Sequence, residues 1–214
     1  LNKIIEIHAS VLYENAWVNY NNKFPDHPIS QQEAKRIIAL TFSCLTKIDN
    51  SRAVRKRMTL GEITGIINSP SSTPEVVSEV LSIYREEGNS FIRPFKTADP
   101  STHNISANTV LDITHESLIR NWNKLNTWAK QEFEFYSTYL DFKKQLDRWK
   151  SSKENSGFLL PIGPLTFFES WYAKCKPNVG WIKRYTEIKD DQSKTNADAE
   201  SVLADVKEFI KRSA

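Results

Sequence analysis

The chain has 214 residues, enough for one large domain or two small ones. Hydrophobic residues make up 39% and charged residues 26%, with six Trp, seven Tyr and eleven Phe, and this aromatic content excludes a disordered chain. The formal net charge of +3 is too small to indicate nucleic-acid binding from electrostatics alone.

Cysteine and glycine usage disfavours several kinds of site. Cys44 and Cys175 show neither C-x-x-C nor Cys/His spacing, which disfavours a disulfide framework and a zinc site. The six glycines form neither G-x-G-x-x-G nor G-x-x-x-x-G-K-[ST], so neither common phosphate-binding loop is present. The sequence shows no membrane-length apolar run and no signal-peptide pattern, which predicts a cytoplasmic location. Because the helical pattern is already under way at Leu1, we expect a piece of a longer protein.

The first half of the chain begins with two helical patterns and a basic segment. Three- and four-residue apolar spacing predicts a helix that runs to about Tyr20. Ser30 and Glu33 form a capping box, which predicts a second helix that ends at about Ile48. The basic segment from Arg52 to Arg57 is predicted to be a solvated loop or a contact for an acidic partner.

Two more helices and two extended runs follow. A capping box at Thr59 predicts a short helix, and an N-cap at Thr73 predicts a helix that ends at Gly88. Extended runs at 91–95 and 110–113 flank a polar tip. Three helices followed by a two-stranded hairpin is the order of a winged helix-turn-helix.

The second half is predicted to be helical from Thr114, which is placed to cap the first of these helices. Further helices are predicted to begin at Pro164 and after Asn178, and a linker is predicted at 190–196. The last helix carries an apolar stripe, which must dock on another part of the protein. Heptad-like aromatic spacing predicts a packing seam formed by Phe135, Tyr139, Phe142, Leu146 and Trp149.

A winged helix invites a DNA-binding interpretation, in which the third helix enters the major groove. That helix carries Glu75, Glu79, Glu86 and Glu87 against Arg85 alone, and these acids would repel phosphates. A DNA-binding transcriptional regulator is therefore kept only as the alternative function. An independent enzyme is also disfavoured, because the sequence contains neither H-E-x-x-H nor G-x-S-x-G.

His115 lies where the second extended run turns into a helix. A helix N-terminus favours anions, and a histidine there can contact a phosphate. The alternative is a histidine that only caps or packs.

Three segments carry a family resemblance. His115 to Trp122, followed by Leu125 and Trp128, resembles the H-E-[AS]-L-I-R-x-W-x-x-L-x-x-W signature of bacterial STAND-class NTPases. These are signal-transducing relatives of AAA+ ATPases and are often followed by WD repeats. Residues 54–62 resemble the R-R-x-v-t-x-x-E-L pattern of that family, and residues 157–165 resemble its L-L-x-G-x-x-L stretch. The resemblance covers about 29–188.

The resemblance implies a mainly α fold: the end of a helical lid (1–28), a winged-helix domain with a small β-hairpin wing (29–129) and an α-helical connector domain (130–214). It implies a non-catalytic regulatory fragment that couples the nucleotide state of a missing P-loop domain to signalling and oligomerisation. The full-length protein would bind ADP and ATP, whereas this fragment would hold no cofactor or metal. Its partners would be its own upstream NTPase domain and, once activated, further copies of itself. Membranes and nucleic acid are not expected as partners.

The resemblance also implies roles for individual residues. Thr114-His115-Glu116 would correspond to the M-H-D motif of the wider superfamily, in which the histidine contacts the ADP phosphate and holds the closed, inactive state. His115 is therefore the predicted nucleotide-sensing residue. Arg120 is a candidate for pairing across the interface to the nucleotide domain, and the alternative, which is favoured, is a surface arginine on a helix. Arg55 and Arg57 are candidate interface residues because they belong to the basic segment. Trp122 and Trp128 are predicted to pack in the core.

Overall fold

A computed structural model describes residues 2–186 and 196–214. In these residues the fold is mainly helical with two small antiparallel sheets, which confirms the prediction of a mainly α fold. The chain divides into two compact units, Leu1–Glu132 and Phe133–Ala214. Within the described ranges, no helix has both the length and the apolar character needed to cross a bilayer.

The elements of the first unit, in chain order, are α1 (Asn2–Lys23), α2 (Gln31–Cys44), β1 (Thr46–Asp49), β2 (Arg52–Arg55), β3 (Met58–Thr59), α3 (Leu60–Ile67), α4 (Pro74–Val80), α5 (Ser82–Arg85), β4 (Ile92–Arg93), β5 (Val110–Ile113) and α6 (Glu116–Asn121). Helix α7 (Asn123–Ser151) begins in the first unit and contributes most of its length to the second. The second unit continues with α8 (Ile162–Cys175), α9 (Val179–Thr186) and α10 (Asn196–Ser213).

Local capping signals set the start of three helices in the first unit. The side chains of Ser30, Thr59 and Thr73 each accept a hydrogen bond from the backbone N–H three residues on, which confirms the predicted caps. At Thr59 the Glu62 carboxylate also binds the Thr59 backbone N–H at 2.7 Å, completing a capping box. The helix predicted to reach Gly88 is divided, because α4 ends at Val80 and α5 at Arg85.

The predicted C-terminal end of the second helix was wrong. Helix α2 ends at Cys44, and residues up to the predicted end at Ile48 form β1 instead. Strands β1 and β2 are antiparallel and form four residue pairs, and Asn50 and Ser51 between them have φ values of 46° and 64°. Positive φ at both central residues is the geometry of a type I′ turn, which closes a two-residue hairpin. The basic segment is therefore mostly strand, and the predicted loop was wrong.

A second sheet has the strand order β3-β5-β4, and all its pairs are antiparallel. Met58 pairs with Leu111, and Ile92 pairs with Ile113. The predicted extended runs therefore do pair, with residues 94–109 forming the connection between them. Strand β5 lies in the middle of this sheet, so the sheet fixes the position of the segment that follows it.

An aromatic cluster forms the core of the first unit. Trp122 is completely buried, and its ring meets Phe42 edge to face at 5.0 Å. Its backbone is extended (φ −98°, ψ 104°), so the helical pattern predicted from Thr114 is interrupted between α6 and α7. Glu6 of α1 accepts a hydrogen bond from the Asn123 backbone N–H at 2.7 Å, where α7 begins. The predicted packing role of Trp122 is confirmed, and Trp128 lies against it at 5.2 Å.

The core of the second unit is built on the predicted seam of α7. The seam residues Tyr139, Phe142, Leu146 and Trp149 are buried. Phe209 of α10 is also completely buried, with its ring 5.6 Å from Phe142 and 5.1 Å from Trp149. The prediction that the last helix docks through its apolar stripe is therefore confirmed.

Two boundaries in the second unit can be compared with the predictions. Helix α8 begins at Ile162, two residues before the predicted start at Pro164. Asn178 accepts a hydrogen bond from the Trp181 backbone N–H at 2.9 Å, as its predicted capping role requires. The linker predicted at 190–196 lies outside the described residues except for Asn196, which begins α10.

Candidate functional site

The segment Thr114-His115 joins the central strand β5 to helix α6. His115 is exposed and occupies the N-cap position with extended backbone angles (φ −135°, ψ 135°), but its side chain makes no capping hydrogen bond. Thr114 is buried, and its Oγ1 has no hydrogen-bond partner among the residues that the structure describes. The predicted cap at Thr114 is therefore wrong, because the backbone stays extended for one residue more.

Two arginines of the basic segment converge on Asp112 of β5. Arg57 donates from Nε to Asp112 Oδ2 at 3.1 Å, and Arg55 Nη1 lies 3.5 Å from the same oxygen. The Asp112 side chain is 12% exposed, whereas Arg57 is 74% exposed. The arrangement combines two guanidinium groups with one carboxylate, so it leaves positive charge in excess. We call Arg55, Arg57 and Asp112 the Asp112 cluster.

Arg55 also contacts the main chain next to His115. Its Nη1 donates to the carbonyl oxygen of Ile113 at 3.1 Å and lies 3.5 Å from that of Thr114. The structure thus brings Arg55 to the peptide that precedes His115, and brings Arg57 to the same strand through Asp112.

Arg120 has a different partner from the other predicted arginines. Its Nη2 donates to Glu116 Oε2 at 3.2 Å, one turn back along α6. Their side chains are 70% and 44% exposed, so solvent screens the pair and it adds little stability.

Sequence reasoning missed Asp112. The signal is an acidic residue inside a short apolar strand, where an unpaired charge is costly to bury. Because Met58 pairs with Leu111, the antiparallel register places Arg57 opposite Asp112. The pairing of β3 with β5 was not predicted, so this partnership could not be inferred.

The site offers anion binding more readily than catalysis. It presents guanidinium and imidazole groups, which donate hydrogen bonds to phosphate or carboxylate oxygens. Over residues 2–186 and 196–214, no group of three or more His, Cys, Asp or Glu side chains could hold a metal ion.

The acidic helical segment α4–α5 supports the sequence argument against DNA binding. Arg85, the base that the sequence places there, is completely buried and donates to the carbonyl oxygens of Pro94, Thr102 and His103. Its charge is therefore not presented to a ligand. Glu75, in contrast, is exposed, whereas the Glu79 side chain is 15% exposed and pairs with Lys23.

One of three comparisons with known proteins gives a match, and that match agrees with the motifs around this site. A search among curated proteins and solved structures finds no match to this chain. A family model described as Novel STAND NTPase 1 matches residues 24–157, a range that contains the Asp112 cluster, His115 and Arg120. Because this match covers more than half of the sequence, the chain belongs to the Novel STAND NTPase 1 family.

Proposed function

We propose that this chain is a non-catalytic regulatory part of a STAND NTPase. It couples the nucleotide state of a P-loop domain elsewhere in the same protein, closed with ADP and open with ATP, to signalling and oligomerisation. Family membership supports this function. The observation that carries it is the exposed His115, which extends from the end of a central strand beside a cluster with excess positive charge.

The topology of the first unit supports a winged helix at 29–129. Apart from an added hairpin, the elements follow one another in the order α2, β3, α3, α4–α5, β4 and β5, which is the order of that fold, and β4 and β5 flank the wing. The hairpin β1–β2 is an addition between the first helix and the first strand. Residues 1–28 would then be the end of a lid, and 130–214 a connector domain.

His115 would act as the nucleotide sensor. Its imidazole is not engaged in capping α6, so it is free to donate a hydrogen bond to an ADP phosphate held by the P-loop domain. This contact exists only in the closed state, so it would favour that state when ADP is bound. Exchange of ADP for ATP would release the contact and let activated copies associate.

The test is ADP release from the full-length protein, measured with a fluorescent ADP analogue. We expect His115→Ala to release ADP about tenfold faster, because it removes one charge-assisted hydrogen bond to phosphate. His27→Ala is the matched control, since His27 is also exposed in the first unit. Equal release rates in the parent and His115→Ala proteins, with both correctly folded, would rule out the assigned role.

A second measurement concerns catalysis by the 214-residue chain alone. The sequence contains no G-x-x-x-x-G-K-[ST] loop to hold the phosphates of ATP. We expect no phosphate release from ATP above the buffer rate. Sustained turnover that survives repurification would contradict a purely regulatory role.

A further inference from the structure

The guanidinium group of Arg55 binds the main chain that leads directly into His115. One nitrogen, Nη1, is 3.1 Å from the Ile113 carbonyl oxygen and 3.5 Å from the Thr114 carbonyl oxygen. It is also 3.5 Å from a carboxylate oxygen of Asp112. A single side chain therefore joins the last two residues of β5 to the residue before His115.

The backbone of Arg55 is itself well anchored. Arg55 is the last residue of β2 and pairs with Thr46, the first residue of β1. The next residue, Lys56, donates its backbone N–H to the Leu45 carbonyl at 2.8 Å, which ties the hairpin to the end of α2. Strand β2 also contacts α6, so the hairpin and the helix that follows His115 lie side by side.

Other side-chain support for this segment is missing from the part of the chain that the structure describes. His115 makes no side-chain cap, and Thr114 Oγ1 has no hydrogen-bond partner. The Thr114 backbone N–H donates to the Phe91 carbonyl at 3.0 Å, which holds the segment from the β4 side. On the other side, the side chain that binds these carbonyls is that of Arg55.

We infer that Arg55 is a positioning residue for His115. It holds the peptide between Thr114 and His115 and so sets the direction of the imidazole, without contacting the phosphate itself. This inference rests on the proposed nucleotide-sensing role of His115. It gives Arg55 an internal supporting function, in contrast to the interface position predicted from the charge of the basic segment.

Arg57 provides a matched control for Arg55. Both arginines bind Asp112 Oδ2, but Arg57 does so through Nε and is 74% exposed. Within residues 2–186 and 196–214, its side chain makes no hydrogen bond to a main-chain carbonyl. Loss of Arg57 therefore removes a positive charge from the Asp112 cluster but leaves the carbonyl contacts in place.

The first test follows ADP release from four full-length proteins: the parent, Arg55→Met, His115→Ala and the double variant. We expect Arg55→Met to speed ADP release about 3- to 10-fold, and not more than His115→Ala does, because it acts only through His115. It should add nothing once His115 is absent, because residues that act through one another are not additive. Arg57→Met is the charge-matched comparison: any effect on the rate should persist when His115 is also replaced, because its guanidinium makes no contact with the peptide before His115.

The outcomes separate the inference from the proposed function. An equal effect of Arg55→Met in both backgrounds, or no effect in either, overturns the positioning role. If His115→Ala leaves ADP release unchanged, the proposed function fails, whatever Arg55 does. If Arg55→Met does not fold, Arg55→Lys replaces it, because it keeps the charge but lacks the guanidinium whose Nη1 contacts both carbonyls and Asp112.

A second test does not depend on nucleotide. The chain has four histidines, so histidine-labelled NMR spectra of the 214-residue chain should resolve the His115 ring, assigned with His115→Ala. We expect Arg55→Met to shift the His115 ring signals and to leave those of His27 unchanged. Arg57→Met should shift them less. An unmoved His115 signal in Arg55→Met would overturn the inference even if ADP release changed.

Discussion

Arg57, the residue immediately before β3, donates a hydrogen bond to Asp112 of the neighbouring antiparallel strand β5, with Nε 3.1 Å from Oδ2. Asp112 therefore serves two arginines with one oxygen, and its other oxygen, Oδ1, is buried without a hydrogen-bond partner in the described part of the chain. One carboxylate cannot balance two guanidinium groups. The excess charge is local, although the net charge of the whole chain is small.

Replacement of Asp112 should destabilise the first unit. In Asp112→Asn, two guanidinium groups remain close together without a carboxylate between them. We expect a loss of about 1–2 kcal/mol in the free energy of unfolding, a modest value because solvent screens Arg57. Urea denaturation measures this loss. Glu116→Gln breaks only the exposed pair with Arg120 and should cost less than about 0.5 kcal/mol, so equal losses would contradict a structural role for Asp112.

Replacement of Arg85 should loosen the connection between β4 and β5. Its guanidinium is completely buried and donates to carbonyl oxygens of Pro94 at 2.7 Å, Thr102 at 2.8 Å and His103 at 3.2 Å. Arg85→Met would leave these acceptors without their donor. We expect a loss of about 2–4 kcal/mol in the free energy of unfolding.

The measurement for Arg85 combines urea denaturation with hydrogen exchange. Amide protons of residues 95–99 and 101–103 should exchange faster in Arg85→Met, whereas those of the second unit should not change. Arg93→Met is the control, because Arg93 is exposed. Unchanged exchange in this connection would show that Arg85 does not hold it.

DNA binding should be no stronger than weak, non-specific association. Glu75 of α4 is exposed and places negative charge on the helix that would enter a groove, whereas the neighbouring Arg85 is buried. We expect a Kd for duplex DNA above about 10⁻⁴ M at physiological salt. Fluorescence anisotropy with a labelled duplex measures this value. Tight binding that depends on DNA sequence would restore the transcription-factor interpretation.

Local sequence signals predicted much of this fold, and the wrongly predicted elements have a common cause. The caps at Ser30, Thr59 and Thr73 depend on side chains three residues from their targets, so the sequence alone is sufficient. The end of α2 was wrong because the apolar residues up to Ile48 fit both helical and strand spacing. Pairing with the following strand decides between the two, and that pairing is not local.

The candidate site shows the same division. His115 was identified from a motif, and the structure places it at the strand-to-helix junction as the pattern indicated. The relation between Arg55 and the main chain before His115 joins residues 58 and 59 positions apart. Such a contact depends on the β1–β2 hairpin and on β5 as a central strand. Neither was predicted, so the role of Arg55 became apparent only from the structure.

Removal of the Phe209 ring should detach α10 from the second unit. This ring is completely buried between Phe142 and Trp149. We expect Phe209→Ala to lower the free energy of unfolding by about 3–5 kcal/mol, because it leaves a cavity in an aromatic core. Chemical denaturation followed by tryptophan fluorescence measures the loss. Ile210→Ala, at a partly buried neighbour, should cost less, and an equal loss would contradict docking through Phe209.

Tyr139 should make the second unit sensitive to alkaline pH. Burial, with a smaller contribution from Asp147, raises the pKa of Tyr139 from 10.0 to about 12. Because the folded pKa is higher than the unfolded one, the folded state binds more protons between these values. Stability is thus fully present below about pH 10 and falls as the pH rises towards 12.

Tyr139→Phe should show a shallower loss of stability from pH 10 to 12 in urea denaturation. A difference absorbance titration at 295 nm should also lose one tyrosine that titrates near pH 12. If the variant and parent lose stability in parallel, Tyr139 is not the responsible group.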